Sequence, residues 1–161
     1  MASGPQRDIL RPPLLDRLIG PPSDHRGQIG IGFDDLRKSV TRDLTWLLNT
    51  RTLILEEWAR LEEARKSVLT YGVPDFANAG WIDRSDHNAI ASLITQAIQT
   101  FEPRLVPRTV SVKIQPPQEG DQFRLRFRIT AELHVEPVRE QVAFETNLDT
   151  KSGGFSVAGS F

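Results

Sequence analysis

An acid, a proline and a base are adjacent at Glu102, Pro103 and Arg104, where a helical pattern stops and a strand pattern begins. Glu102 has the chemistry of a general acid, the group with which glycosidases protonate a leaving oxygen. The trio also presents charges of both signs on a rigid backbone, and Arg104 can form a two-pronged bond to a partner carboxylate. The residue types therefore allow two functions, a catalytic acid or a docking corner for another protein.

A catalytic Glu102 needs a second carboxylate about 5–10 Å from it to hydrolyse a glycoside. Asp86 lies at the far end of the helix that leads to Glu102, roughly 24 Å away at about 1.5 Å per residue. Asp75 is in a loop, and the sequence does not fix its position. The sequence thus supplies an acid without an identified partner. A third interpretation stays open, in which Glu102 and Arg104 pair with their neighbours and fix the corner.

The other candidates for catalysis or metal binding are the three histidines, His25, His87 and His134. No pair of them has the spacing of a metal site, and the chain has no cysteine to complete one. Neither a nucleophile elbow nor a phosphate-binding loop is present in the sequence. We therefore predict no catalytic residue, no metal site and no cofactor.

Three arginines, Arg124, Arg126 and Arg128, alternate along one predicted strand and share its polar face. Such a stripe can hold nucleic-acid phosphates, but this one lacks the interleaved aromatic residues on which single strands stack. Glu145 and Asp149 are expected opposite the arginines on the next strand. The pattern favours a solvated face with cross-strand ion pairs over a nucleic-acid site.

The composition is that of an ordinary globular protein, with 161 residues, 39% hydrophobic residues and a net charge of -1. The length predicts one domain, and the charge gives no reason to expect nucleic acid or an anionic membrane as partner. The apolar runs are too short to span a bilayer, and the first residues given lack the apolar region that is typical of a signal peptide. We predict a cytoplasmic protein without membrane insertion and without a small-molecule substrate.

Helical periodicity predicts three helices that position these residues, over 33–49, over 53–70, and from Asp83 or Ser85 to Phe101. Pro103 ends the third, because the residue before a proline is pushed out of the helical region. Glycine and proline are concentrated in residues 1–32, which we predict to be a flexible arm. Within that arm, residues 14–20 form a short apolar and charged segment that we expect to dock on its own domain or on a partner.

After the third helix the period becomes two, which predicts strands. Alternation runs through residues 110–115 and 123–133, begins again at Val142, and includes a short last segment, FSVA. The predicted class is α+β, with about three helices packed on one face of a three- to four-stranded antiparallel meander, in a single domain over 33–161.

Four segments in a fixed order resemble the TssE baseplate subunit family of bacterial type VI secretion systems: LLDRL at 14–18, RDLTWLLNTR at 42–51, SVLTYGVPD at 67–75 and FEPRL at 101–105. TssE is similar to the small wedge protein of contractile phage baseplates, often labelled lysozyme-like. The resemblance covers nearly the whole chain after residue 13. It implies a structural subunit, rather than an enzyme, that gives the first ring of the contractile sheath a template.

The resemblance implies that Glu102, Pro103 and Arg104 contact the bundle of the larger wedge subunits. We assign the docking segment to the same protein interface, with the residues Leu14, Leu15, Asp16, Arg17 and Leu18. The implied partners are the larger wedge subunits and the sheath proteins, on a baseplate assembled at the cytoplasmic face of the inner membrane. The alternative is a peptidoglycan hydrolase with Glu102 as general acid. A regulatory anti-adaptor, from a small stress-response family similar in fold, does not account for the four segments.

Overall fold

The structure is a computed structural model that describes residues 12–19, 31–52, 61–77, 84–118, 123–135 and 138–160. Its elements, in chain order, are the helices α1 (Leu14–Ile19), α2 (Phe33–Asn49) and α3 (Arg84–Phe101), followed by the strands β1 (Ser111–Ile114), β2 (Arg124–Val135), β3 (Val138–Asp149) and β4 (Phe155–Ser160). Short 3-10 turns occur at Ala64–Lys66, Val68–Thr70 and Pro107–Thr109. The helices precede the strands, as the sequence predicts.

The four strands form one antiparallel meander in the order β1-β2-β3-β4. β2 and β3 are the longest strands and turn into each other at Val135 and Val138. The turn into β4 uses Gly153, whose φ of 71° is a left-handed conformation that a side chain would strain. The meander confirms the α+β prediction in its four-stranded form.

The core lies between the helices and one face of the sheet. On β2 the buried side chains are every second residue, so a single face is covered. α2 lies against β4, and α3 lies against β1. The largest fully buried side chains are Phe127, Phe144, Leu36, Leu44, Leu48, Ile90, Ile94, Ile98, Leu105, Ile129 and Leu133.

The helix predicted over 53–70 is wrong for the part that the structure describes. Residues 61–70 form turns and two 3-10 turns, whereas 53–60 lie outside the described residues. The apolar side chains that gave the helical pattern find no core, since Val68 is 84% exposed and Leu69 is also exposed. Hydroxyl groups offer the backbone an alternative, because Ser67 Oγ and Thr70 Oγ1 donate to nearby main-chain carbonyls.

The loop predicted after Tyr71 is confirmed as far as residue 77. Gly72 has a φ of 117°, and a Cβ there would lie 2.3 Å from the Thr50 carbonyl oxygen. This close approach lets Val73 N donate to Thr50 O, at 3.0 Å. The predicted cap Asp83 and most of the predicted arm, residues 1–11 and 20–30, lie outside the described residues, so the division at residue 32 stays a prediction.

Candidate protein-interaction site

The corner after α3 is fixed by its own backbone. Glu102 N donates to Ile98 O at 2.9 Å, which completes the last turn of the helix. The chain then runs beside β2, where His134 N donates to Arg104 O at 2.9 Å. Val106 N donates to Glu132 O at 2.9 Å, one step further. Pro103 is exposed at the tip, and the backbone on both sides of it is held by hydrogen bonds.

The side chains of the corner point to each other and into the protein. Glu102 is 3% exposed, and Arg104 Nε and Nη2 donate to its two carboxylate oxygens at 2.6 and 2.5 Å. Arg104 Nη2 also donates to Asp43 Oδ2 on α2, at 2.6 Å. This arrangement agrees with the interpretation in which Glu102 and Arg104 pair with their neighbours and fix the corner. Docking of another protein at the corner stays a prediction.

Asp43 is the second carboxylate that the sequence does not identify. Because one nitrogen of Arg104 contacts both Glu102 and Asp43, the two acids are as close as the carboxyl pairs of glycosidases. The guanidinium group, however, occupies the space between them where a sugar and a water would have to lie. Both acids are therefore ion-paired to Arg104 in this geometry.

A second set of contacts joins α1 to α2 through Asp16. Ser39 Oγ donates to Asp16 Oδ2 at 2.8 Å, and Arg42 Nη1 donates to Asp16 Oδ1. Arg42 Nε donates to Asp43 Oδ1 at 2.9 Å. Ser39 Oγ, in turn, accepts from Arg104 Nη1 at 3.2 Å. The predicted docking segment and the corner thus meet on α2, at three residues that we call the polar layer: Ser39, Arg42 and Asp43.

The charges in these contacts stabilise one another. Burial alone would raise the pKa of Asp16, but the hydrogen bonds from Arg42 and Ser39 outweigh it and hold that pKa below its ordinary 3.8. Burial opposes the charge of Arg104, yet hydrogen bonds to Glu102 and Asp43 raise the pKa of its guanidinium group. Acid and base therefore both stay charged at neutral pH.

α1 docks through its polar side and leaves its apolar side in solvent. Leu18 is 76% and Ile19 71% exposed, and Leu14 and Leu15 are exposed as well. None of the residues of the helix is buried. Arg17, another predicted interface residue, is exposed too. Exposed leucines grouped on one short helix are typical of a surface that another protein covers.

The spacing of the polar-layer residues in the sequence indicates that they are neighbours on one helix. Ser39, Arg42 and Asp43 are three and four residues apart, which places them on one face of a helix. Arg42 and Asp43 also open the segment RDLTWLLNTR, to which the sequence assigned no role. The spacing shows that the three residues are neighbours, but not that Asp16 and Arg104 lie opposite them.

The outer edge of β4 is a second candidate surface. Asp149 N donates to Gly154 O, and this register turns the main-chain groups of Phe155, Val157 and Gly159 away from β3. The Asn49 side chain bonds both main-chain groups of Phe155: Asn49 Nδ2 donates to Phe155 O, and Phe155 N donates to Asn49 Oδ1, each at 2.9 Å. Within the described ranges, the outward main-chain N–H and C=O groups of Val157 and Gly159 have no hydrogen-bond partner. The edge is thus closed at its start and open beyond it.

The open face of the sheet carries the arginine stripe. Arg128 and Glu145 are directly opposite and lie 3.3 Å apart, and Arg124 is opposite Asp149. Both acids were predicted to stand across from the arginines, and the register confirms this. In the part of the chain that the structure describes, no group of acids and histidines is placed to hold a metal ion. No described helix has the length and apolar character to cross a membrane.

Comparison with known proteins gives one family. A family model for the baseplate wedge protein gp25 matches residues 34–138, well over half of the chain. The matched range contains α3, the corner and all of α2 except its first residue. No curated protein and no solved structure shows significant similarity to the chain.

Proposed function

The chain belongs to the baseplate wedge protein gp25 family, and from that premise we propose that it is a structural baseplate subunit of a type VI secretion system. In this proposal it contacts the larger wedge subunits and gives the contractile sheath a template. The four segments that resemble TssE support the secretion system over a phage tail. The proposal places the protein in the cytoplasm, on a baseplate at the inner face of the inner membrane.

The contact with the larger wedge subunits is assigned to α1 and the corner. The observation that carries it is the exposed apolar side of α1, since an isolated protein gains nothing by exposing several leucines on one helix. Exposed Pro103 and the rim of Arg104, which is 17% exposed, lie at the edge of the same network. An apolar centre beside charged groups suits a protein partner better than a small molecule.

A co-purification experiment tests this interface. Leu18→Asp places a charge in the centre of the exposed side of α1, and we expect loss of the larger wedge subunits from the purified complex. Leu61→Asp is the matched control, because Leu61 is an exposed leucine outside the proposed interface. Normal yield of the complex with Leu18→Asp would contradict the assignment of α1.

The template for the sheath is assigned to the outer edge of β4. Val157 and Gly159 offer main-chain donors and acceptors that a strand from a sheath subunit can pair with. Val157→Pro removes one outward N–H and leaves the bonds to β3 intact, whereas Val157→Ala keeps the donor. We expect the proline variant to join the baseplate but not to start a sheath. Sheath growth equal to that of the alanine variant would rule out this edge.

We propose no enzymatic function. The guanidinium group between Glu102 and Asp43 supports this, because it occupies the position of a substrate. A peptidoglycan zymogram of the purified protein is expected to show no lysis. Lysis that Glu102→Gln abolishes while the variant remains folded would instead establish the hydrolase alternative.

A further inference from the structure

Arg104 uses most of its hydrogen-bonding capacity inside the protein. Its guanidinium group has five N–H donors, and four contacts go to Glu102, Asp43 and Ser39. The side chain is only 17% exposed. Little of it is left to bind a partner directly, so its influence on a partner has to pass through the groups that it holds.

Those groups lead to α1. Asp43 divides its two oxygens between Arg104 and Arg42, and Arg42 reaches on to Asp16. Negative and positive groups alternate from the corner to α1, and each guanidinium group lies between two carboxylates. The ring of Trp46 supports this arrangement, because Arg42 lies 5.0 Å above its centre.

Ser39 makes a second, shorter connection. Its hydroxyl group is almost completely buried, accepts from Arg104 and Arg42, and has one proton, which it donates to Asp16. Because the Ser39 oxygen accepts from both arginines, its hydroxyl proton points to the Asp16 carboxylate on α1. Arg104 therefore orients the group that holds Asp16.

Among the described residues, few other contacts could hold α1 in place. Its apolar side chains face solvent, and six residues are too few for a helix that is stable alone. Pro12, just before the helix, is buried and anchors the chain there. The position of the helix itself depends on Asp16.

We propose that the Glu102–Arg104 corner positions α1 through the polar layer. In this arrangement Ser39, Arg42, Asp43 and Arg104 are positioning residues, and the leucines of α1 are what a partner touches. Removal of Arg104 leaves Glu102 without its ion-pair partner and leaves Asp43 and Asp16 to share the guanidinium group of Arg42. Glu102 and Asp43 belong to the packed domain, so Asp16 and α1 are the part that is released.

The test is hydrogen exchange of the α1 amides in the isolated full-length chain, which requires no wedge partner. Asp16→Asn is expected to raise the exchange rate of α1 about tenfold, which corresponds to the loss of one charge-assisted hydrogen bond. Arg104→Gln is expected to do the same from the other end of the network. The α1 amides of the double variant should exchange no faster than those of either single variant. The reason is that both substitutions interrupt the same connection between the corner and α1.

Two controls separate this effect from general unfolding. Arg128→Gln removes a partly exposed arginine from the open sheet face and should leave α1 unchanged. Exchange of the α3 amides reports whether a variant is folded. If Arg104→Gln does not fold, Arg104→Lys, which keeps the charge but cannot reach all the acceptors, is expected to raise exchange by a smaller factor.

Unchanged α1 exchange in folded Arg104→Gln or Arg104→Lys, with or without an effect of Asp16→Asn, would overturn the inference. So would additive effects in the double variant. Because the readout is internal to the chain, a negative result here leaves the wedge proposal untouched. Conversely, coupling between the corner and α1 would stand even if the partner were not a wedge subunit.

Discussion

At the scale of single residues, Arg104 joins the corner to α2 through its bonds to Ser39 and Asp43. The local sequence explains the backbone here, since Pro103 ends α3 and turns the chain toward β2. It does not explain the side chains, which turn inward to Asp43 and Ser39. Glu102 and Arg104 are thus partners of each other before they are partners of anything else.

Glu102→Gln should destabilise the protein, although it keeps the size of the side chain. Without the Glu102 charge, Arg104 keeps only Asp43 as an ion-pair partner. Breaking a buried ion pair costs about 3 kcal/mol. Urea unfolding of the variant and the wild type measures the difference. Glu145→Gln, on the open face, is the control, with an expected loss of about 0–1 kcal/mol. Equal losses for the two variants would show that the corner is not a buried ion pair.

The contribution of Asp16 should disappear in acid. Its pKa is lowered in the folded protein, so its stabilising effect is complete above the unfolded value of 3.8 and is lost as pH falls through the lower, folded value. We expect wild type and Asp16→Asn to differ by about 1–2 kcal/mol in unfolding free energy at neutral pH. The measurement is urea unfolding from pH 7 to pH 2.5. A difference that grows toward low pH would have the wrong sign and would exclude Asp16 as the charged partner.

At the scale of elements, burial decided which patterns became helices and strands. α2 and α3 keep one apolar side against the sheet, and both were predicted. Residues 61–70 have a similar spacing of apolar residues, but with Leu61, Val68 and Leu69 exposed they form turns. For α2, α3 and residues 61–70, helical periodicity therefore produced a helix only where a core covers the apolar side.

Ile94 in α3 should be more sensitive than its neighbour Leu93. Ile94 is fully buried, whereas Leu93 is only partly buried against the same core. Ile94→Ala is expected to cost an amount near the upper end of about 2–5 kcal/mol, and Leu93→Ala clearly less. Thermal or urea unfolding ranks the two. A larger loss for Leu93→Ala than for Ile94→Ala would show that α3 faces the core with Leu93 rather than with Ile94.

Asn49 joins the end of α2 to the start of β4, and its replacement should loosen that strand. Asn49→Ala loses both bonds to Phe155, at a cost of about 1–3 kcal/mol. Asn49→Asp keeps the acceptor for Phe155 N and should lose less. Hydrogen exchange at Phe155 is the measurement. Full protection in the alanine variant would mean that the Asn49 side chain does not close this edge.

For the molecule as a whole, the positions of the charged residues describe the surface better than the net charge does. The net charge is -1, and the arginine stripe of the open face is largely compensated by the acids across from it. The apolar surface of α1 and the open edge of β4 belong to opposite ends of the chain. In the proposed function these two surfaces are assigned to two different partners.

The open face should not bind nucleic acid tightly. Arg128 pairs with Glu145, and Asp149, whose pKa is lowered by main-chain hydrogen bonds from Ser152 and Lys151, stays charged opposite Arg124. A gel-shift assay at low salt should show no discrete complex with the wild type. Glu145→Gln removes one negative charge from this face and should produce at most weak binding that salt removes. Tight, salt-sensitive binding by the wild type would contradict the paired face.

The sequence by itself determined the α+β class, the order of the strands, the end of α3 at Pro103 and the family resemblance. These depend on local periodicity, on proline and glycine, and on short segments in a fixed order. Only the tertiary structure decided that Asp43 lies beside Glu102, that Ser39 connects Arg104 with Asp16, and that Asn49 closes part of β4. Their partners are distant in the chain, and side-chain period fixes the face of an element but not which element lies opposite. The packing of the helices on the sheet makes that choice.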